Sequence, residues 1–206
     1  MNPWLEVPLA DYEAHMTSAA VGQAAALSEL FRQVLHQRKP ASVAILGIAG
    51  GNGLEHIDPS STRRVVGIDL NPAYVNATRE RYPHLPGLEL LTADLSNKSI
   101  AMEPVSLVHA ALVFEHAGIS QCLDNALALV SPTGALSVVL QLPSSSAGTI
   151  GNSGVSSVAK FAGHFSLIDV DEFTAILTSR GLKLVHEKLH PVPAGKQLWL
   201  GVFERS

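Results

Sequence analysis

The chemistry of this chain begins at a turn. Gly47, Gly50, Gly51 and Gly53 follow directly on an apolar run, Val43 to Leu46, and a second strand-like run, Arg64 to Ile68, ends in Asp69. A glycine loop after one strand, with a carboxylate at the tip of the next, is how an open parallel sheet holds an adenosine-containing cofactor. Asp94 closes a third apolar run, and Glu115 and His116 stand just past a fourth. These add hydrogen-bond acceptors and one ring that ordinarily titrates near neutrality. The residues leave the cofactor open at this point, because a dinucleotide fold uses the acid after its second strand in the same way.

Secondary-structure signals bring those positions to one edge. Residues 8–38 read as helix, with Leu27, Leu30, Phe31, Val34 and Leu35 at helical spacing and Lys39-Pro40 as the stop. Strands are expected at Ser42–Leu46, Arg64–Ile68, Leu88–Ala93, Val105–Ala111 and Ala135–Leu142. Each is a nearly continuous apolar run, as in a parallel sheet covered on both faces. The helix opened by the glycine loop must be short, because Asp58-Pro59 stops it. Asn71-Pro72 supplies an N-cap and first residue for a helix that ends near Tyr82-Pro83. A further helix covers about 120–130, followed by a turn at Pro132-Thr133-Gly134. Asp169 with Glu172 opens a helix that Gly181 closes. Two last runs, Leu182–Leu189 and Gln197–Phe203, meet across a Pro/Gly turn and are expected to pair as an antiparallel hairpin.

Composition narrows the class. The 206 residues suffice for one domain with a real core, and 47% apolar against 16% charged residues marks a globular chain. A net charge of −4, with Arg63, Arg64, Arg79 and Arg81 too few for a phosphate-tracking stripe, argues against nucleic-acid binding. The single Cys122 leaves no internal disulfide, and the first residues lack the basic and apolar regions of a signal peptide, so a cytoplasmic location is expected. No apolar run approaches the roughly 20 residues that span a bilayer.

Six segments in order and spacing resemble the class I S-adenosylmethionine-dependent methyltransferases. They are the loop LGIAGGNG, the strand ends VVGIDLNPAYV and LLTADL, the segment VSLVHAALVFEH, the turn and strand SPTGALSVVLQ, and the terminal hairpin. The resemblance runs from about Ser42 to Phe203 and is to members that methylate small molecules. It implies an α/β fold: a doubly wound, Rossmann-like seven-stranded sheet, mostly parallel with an antiparallel C-terminal strand. It also implies a single domain over 1–206, with 1–40 as a helical lid and 41–206 as the cofactor-binding sheet. S-adenosyl-L-methionine would then be held by Gly47, Ala49, Gly51, Asn52, Gly53, Asp69, Leu70, Asp94, Leu95 and Ala111. Within that set, the glycines give close backbone approach, and the following helix start offers N–H groups to the methionine carboxylate. Asp69 takes both ribose hydroxyls. Asp94 and the Leu95 N–H meet adenine, which Leu70 and Ala93 sandwich. His116 and Glu115 are the catalytic candidates, with His116 as proton acceptor and a structural or cofactor-side role as the alternative for the pair.

The chain departs from that pattern at three positions. Ile45 and Ser106 stand where acids are usual, and Ala49 stands where a glycine is, so cofactor contacts are lost or rearranged. An alanine serves there if its φ stays negative. Tyr12, His15 and Met16 on the lid are candidates to line the pocket or simply to pack. His109 is expected to be a hydrogen-bonded core histidine, Cys122 a small apolar residue, and the Ser/Gly stretch 143–157 a substrate loop or a plain connector. The remaining histidines show no metal-site spacing. The expected partner is a small-molecule acceptor, with no nucleic acid or membrane, in a monomer or homodimer. Two other functions fit parts of the pattern: an NAD(P)-dependent reductase, disfavoured by His56 at a third-glycine position and by the hairpin, and a non-catalytic S-adenosylmethionine-binding module.

Overall fold

The structure, a computed structural model, describes residues 2–144, 148 and 150–205. Seven strands form one sheet: β1 Ser42–Leu46, β2 Arg64–Asp69, β3 Leu88–Thr92, β4 Val105–Ala111, β5 Val130–Gln141, β6 Leu182–Val192 and β7 Lys196–Arg205. Their order is β3-β2-β1-β4-β5-β7-β6. The first five pair in parallel, and β7 runs antiparallel to both β5 and β6. The sheet expected from the resemblance, mostly parallel with one antiparallel last strand, is the one observed. Val43, Val65, Leu107 and Val139 are fully buried, as central strands covered on both faces require.

Helices cover the two faces. The α-helices are α1 Leu9–Thr17, α2 Gln23–Arg38, α3 Pro72–Arg81, α4 Phe114–Ala117, α5 Gln121–Leu129 and α6 Val170–Ser179, with short 3-10 turns at Pro3–Leu5, Leu54–His56 and Ser156–His164. Leu30, Phe31 and Val34 of α2 pack with Val43, Leu107 and Val202 on one face. Cys122, Leu123 and Phe173 pack with Val108, Leu136 and Phe203 on the other. Asn71 caps α3 by accepting from the Ala73 N–H at 2.9 Å, and Asp169 caps α6 by accepting from the Glu172 N–H at 2.9 Å.

Three local expectations are corrected. The helix expected over 8–38 is broken at residues 18–22, where Gly22 takes φ +58 and lies so close to Pro193 that a Cβ would meet its ring at 2.8 Å. The Pro132–Gly134 turn lies within β5, bulged out between the pairs Val105–Val130 and Leu107–Ala135. Ala49 adopts φ +48, not a negative angle. Its N–H is held by an Asp69 carboxylate oxygen at 2.8 Å and its carbonyl by the Thr78 hydroxyl at 2.7 Å, and these bonds fix the left-handed conformation against its steric cost.

Ala49→Gly therefore stabilises the fold by about 0.5–1 kcal/mol, the relief of the left-handed strain less the added freedom of the unfolded chain. Urea unfolding measures it, and a destabilised variant would contradict this account of the loop.

Candidate functional site

Strand order reverses between β1 and β4, so the crevice outside their carboxyl ends is where an open α/β sheet binds ligands. Two loops meet there. A Cβ on Gly47, which has φ +67, would stand 2.8 Å from the Val113 Cγ2, so only glycine lets the loop after β1 approach the loop after β4. On the β4 side Leu112 takes φ +55, its N–H bonded to the Val139 carbonyl at 2.9 Å. Two non-glycine residues in left-handed conformation, Ala49 and Leu112, thus line one cleft. Stored backbone strain of this kind collects at functional sites.

Asp69 organises the cleft. It is 7% exposed, and burial pushes its carboxyl above the usual carboxylate range against the pull of backbone N–H donors. One oxygen accepts from Ala49 and the other from the Asn71 N–H at 2.9 Å. The Asn71 side chain then donates to the Trp4 carbonyl at 2.7 Å, and the Tyr74 hydroxyl donates to the Val7 carbonyl at 2.9 Å. Glycine loop, second strand and N-terminal segment are in this way one hydrogen-bonded unit. Each Asp69 oxygen keeps a further lone pair for a ligand hydroxyl.

The cleft has three walls. Gly47, Ala49, Asp69, Leu70, Asp94 and Leu95 line one, next to Ala93, Ser96 and Ala111. Asp94 takes the Ser96 N–H and hydroxyl on a single oxygen, Oδ1, at 2.9 and 2.6 Å. A second wall holds His15, Met16, Gln23 and Gln141, with the Gln23 amide donating to the Gln141 carbonyl at 2.9 Å and His15 Nδ1 2.7 Å from the Ser153 hydroxyl. The third is aromatic. Trp4 stacks on Phe161 at 4.1 Å, and the His116 ring stands edgewise at 4.7 Å from Trp4 and 5.0 Å from Phe165. A further cleft shares Tyr12, Met16, Gly47, Ala49 and Ala111 with this one and runs below the loop to Asn52. Arg81 pairs with Glu13 of α1 across Gly50, whose carbonyl it also holds at 3.1 Å.

Most of the residues singled out in the sequence converge here, and four do not. Gly51 and Gly53 face inward: a Cβ would strike Tyr82 at 2.7 Å and Phe31 at 2.8 Å respectively. Asn52 lines only the second cleft and donates to the Ala24 carbonyl at 3.0 Å. The helix expected to offer N–H groups after the loop is a three-residue 3-10 turn, and the Gly53 N–H is already taken by the Glu55 side chain at 3.0 Å. Glu115 does not line the cleft. It is 2% exposed, accepts the Gln141 N–H at 2.8 Å on Oε1, and its carbonyl holds the Ser166 N–H at 2.8 Å.

Glu115 and His116 are perturbed in opposite senses by the same cause. Burial raises the Glu115 carboxyl to about 7, and its Oε2 has no hydrogen-bond partner among the described residues. Burial lowers the His116 imidazole to about 4, opposed by a hydrogen bond with the His164 backbone. The His116 Nδ1 is buried and has no hydrogen-bond partner among the described residues. His109, bonded to the Ser137 hydroxyl at 3.1 Å and stacked on Phe31, is a core histidine as expected, and Cys122 is fully buried. Among the described residues no cluster of ligating side chains suits a metal, and no helix is long and apolar enough to cross a membrane. Of the Ser/Gly stretch 143–157, residues 145–147 and 149 lie outside the described residues, while Ile150 and Gly151 line the cleft.

The aromatic wall had no sequence signal, because Trp4, His116, Phe161 and Phe165 come from segments far apart in the chain. Tyr12, His15 and Met16, left open between pocket and packing, all reach the cleft.

Comparison with known proteins agrees with this arrangement. Residues 45–138 match the family model described as a methyltransferase domain. No curated protein matches the chain in sequence. The N-methyltransferase NodS from Bradyrhizobium japonicum WM9, solved with S-adenosyl-L-homocysteine, is similar in structure with TM-score 0.69 at 16% identity, over 100% of this chain and 99% of that one. Magnesium protoporphyrin IX methyltransferase from Synechocystis PCC 6803, also with bound S-adenosylhomocysteine, gives 0.66 at 14% identity over 92% and 86%. An S-adenosylmethionine-dependent methyltransferase from Mesorhizobium loti gives 0.62 at 15% over 80% and 90%. At these identities the likeness establishes a shared fold.

The buried Glu115 makes a prediction in pH. Its folded carboxyl titrates near 7 against 4.5 when unfolded, so its stabilisation is complete below 4.5 and is lost as pH rises through about 7. Glu115→Gln removes that loss, so the variant is more stable than wild type at pH 8 by about 1–3 kcal/mol and near parity at pH 4. Urea unfolding at both values checks this, and a difference independent of pH would contradict it.

Proposed function

We propose, for a chain whose residues 45–138 form a methyltransferase domain in the class I fold, that it transfers a methyl group from S-adenosyl-L-methionine to a small-molecule acceptor. The observation that carries the reading is the cleft at the β1/β4 switch point, where Asp69, Asp94 and the Gly47–Ala49 backbone stand on one wall and residues of the N-terminal segment line another. In this reading residues 1–40 serve as the lid of a single unit. The ribose hydroxyls meet the remaining lone pairs of Asp69, and adenine lies between Leu70 and Ala93 with its amino group on Asp94. The methionine part runs along Gly47, Ala49 and Ala111 toward the cleft that ends at Asn52.

When bound, the sulfonium supplies an electrophilic methyl carbon. The acceptor's oxygen or nitrogen would take that methyl carbon, with the sulfur keeping the electron pair of the broken carbon–sulfur bond in the S-adenosylhomocysteine product. Approach and orientation supply much of the catalysis in such an in-line displacement. His116 is our candidate for the group that meets the acceptor. A ring that titrates near 4 is neutral at pH 7 and accepts a hydrogen bond there, yet it is too weak a base to remove a proton ahead of transfer. Its role is therefore to orient the acceptor and take up its proton as the new bond forms. Glu115 acts one step back, holding the end of β5 at Gln141.

Calorimetry with S-adenosylmethionine and S-adenosylhomocysteine tests the cofactor. We expect both to bind, with Asp94→Ala weakening them by about 1–3 kcal/mol, the scale of a lost hydrogen bond to a charged group. Folded protein that binds neither at millimolar concentration would end this reading. Methyl transfer should lose activity on an acid limb near pH 4 to 5, as His116 protonates, and a limb near 6.5 would remove His116 from the role.

A further inference from the structure

Resting on the methyl-transfer reading, we infer that the acceptor is an uncharged, planar aromatic molecule that offers a hydroxyl or ring N–H and lies against the wall formed by Trp4, His116, Phe161 and Phe165. Charge gives the first argument. Among the described residues that line the cleft, none is Lys, Arg or Glu, and the two carboxylates, Asp69 and Asp94, belong to the cofactor wall. Lys196, 5% exposed, acts electrostatically on His15 from behind the wall and is not part of the lining. A carboxylate or phosphate on the acceptor would lose its water in this cleft without a lining cation to contact, which is unfavourable.

The second argument is shape. The Trp4–Phe161 stack, 26° from parallel at 4.1 Å, presents a broad apolar surface, and His116 meets Trp4 at 89° and Phe165 at 73°. Faces and edges of rings set at right angles favour a flat π-system, which finds offset-stacked and edge-to-face partners at once. An aliphatic ring of the same size gains only the area. The third argument is polarity. The groups on the acceptor side are Gln23, Gln141, and the His15 and His116 rings; burial disfavours the charged form of both rings, with Lys196 adding to the effect on His15. His116 Nδ1 is buried and has no hydrogen-bond partner among the described residues. Neutral acceptors of hydrogen bonds select a ligand O–H or N–H, not an ion. The proton on that group leaves as the oxygen or nitrogen bonds to the methyl carbon, so the reaction remains the displacement described above.

A matched set of probes decides it: 2-naphthol, 2-naphthoate, 2-naphthyl phosphate and decahydro-2-naphthol. Each is titrated calorimetrically into the protein, free and saturated with S-adenosylhomocysteine. We expect 2-naphthol to bind at least about tenfold tighter than each of the other three, and Trp4→Ala to weaken it about tenfold while Trp4→Phe restores most of the loss. S-adenosylhomocysteine affinity should change less than about twofold in Trp4→Phe. Equal or tighter binding of either anion or of the saturated alcohol would overturn the proposal. So would loss of all 2-naphthol binding in protein that still binds S-adenosylhomocysteine, and that result leaves the methyl-transfer reading standing. In protein that fails to bind S-adenosylhomocysteine yet prefers 2-naphthol, the aromatic cleft holds and methyl transfer falls.

Discussion

One buried carboxylate holds the site together. Asp69 is almost out of reach of solvent, where an unpaired charge is costly, and the chain answers by aiming backbone N–H groups at both of its oxygens. Those donors come from Ala49 in the glycine loop and Asn71 at the start of α3, so satisfying one side chain fixes two loops. Asn71 passes the constraint on, because the same side chain that caps α3 also holds the Trp4 carbonyl. The aromatic wall is thereby referenced to the Asp69 carboxylate, through three residues and no free hinge.

The rest of the cleft is built from strain and steric exclusion. Gly47 permits a contact that a methyl group would forbid, while Ala49 and Leu112 adopt conformations that their side chains disfavour. Such conformations persist where neighbouring bonds over-determine them. Beside them the N-terminal segment packs on the 3-10 turn at Ser156–His164. Val7, Val158 and Phe161 form a small apolar cluster, flanked by the Lys160–Glu6 ion pair at 2.7 Å and the Ser157–Asp11 hydrogen bond at 2.7 Å. The ion pair is half exposed and contributes little, so the apolar cluster and the rings hold these segments together.

The parts of this molecule written in local chemistry were legible in the sequence. The Asn71-Pro72 cap, the Asp169 and Glu172 pair, the apolar central strands and the terminal hairpin all follow from neighbours within a few residues. What was not legible depends on distant contacts. The break at residues 18–22 is set by Pro193, and the left-handed Ala49 by Asp69 and Thr78. Gly51 and Gly53 looked like ligand glycines, but Tyr82 and Phe31 occupy the space beside them. Glu115 and His116 are adjacent in sequence and diverge in the fold, one supporting β5 and the other lining the cleft.

The strand order also bears on how the chain is made. β6 leaves the ribosome before β7, yet β7 is the strand that lies between it and β5. Until β7 arrives, the hydrogen-bonding edge of β5, with Leu136, Val138 and Leu140 beside it, has no partner from its own sheet. An unpaired apolar edge of that length is a template for other chains. Closing it waits on β7, the last strand made, so the C-terminal segment is what removes that exposed edge and protects a crowded nascent chain from aggregation.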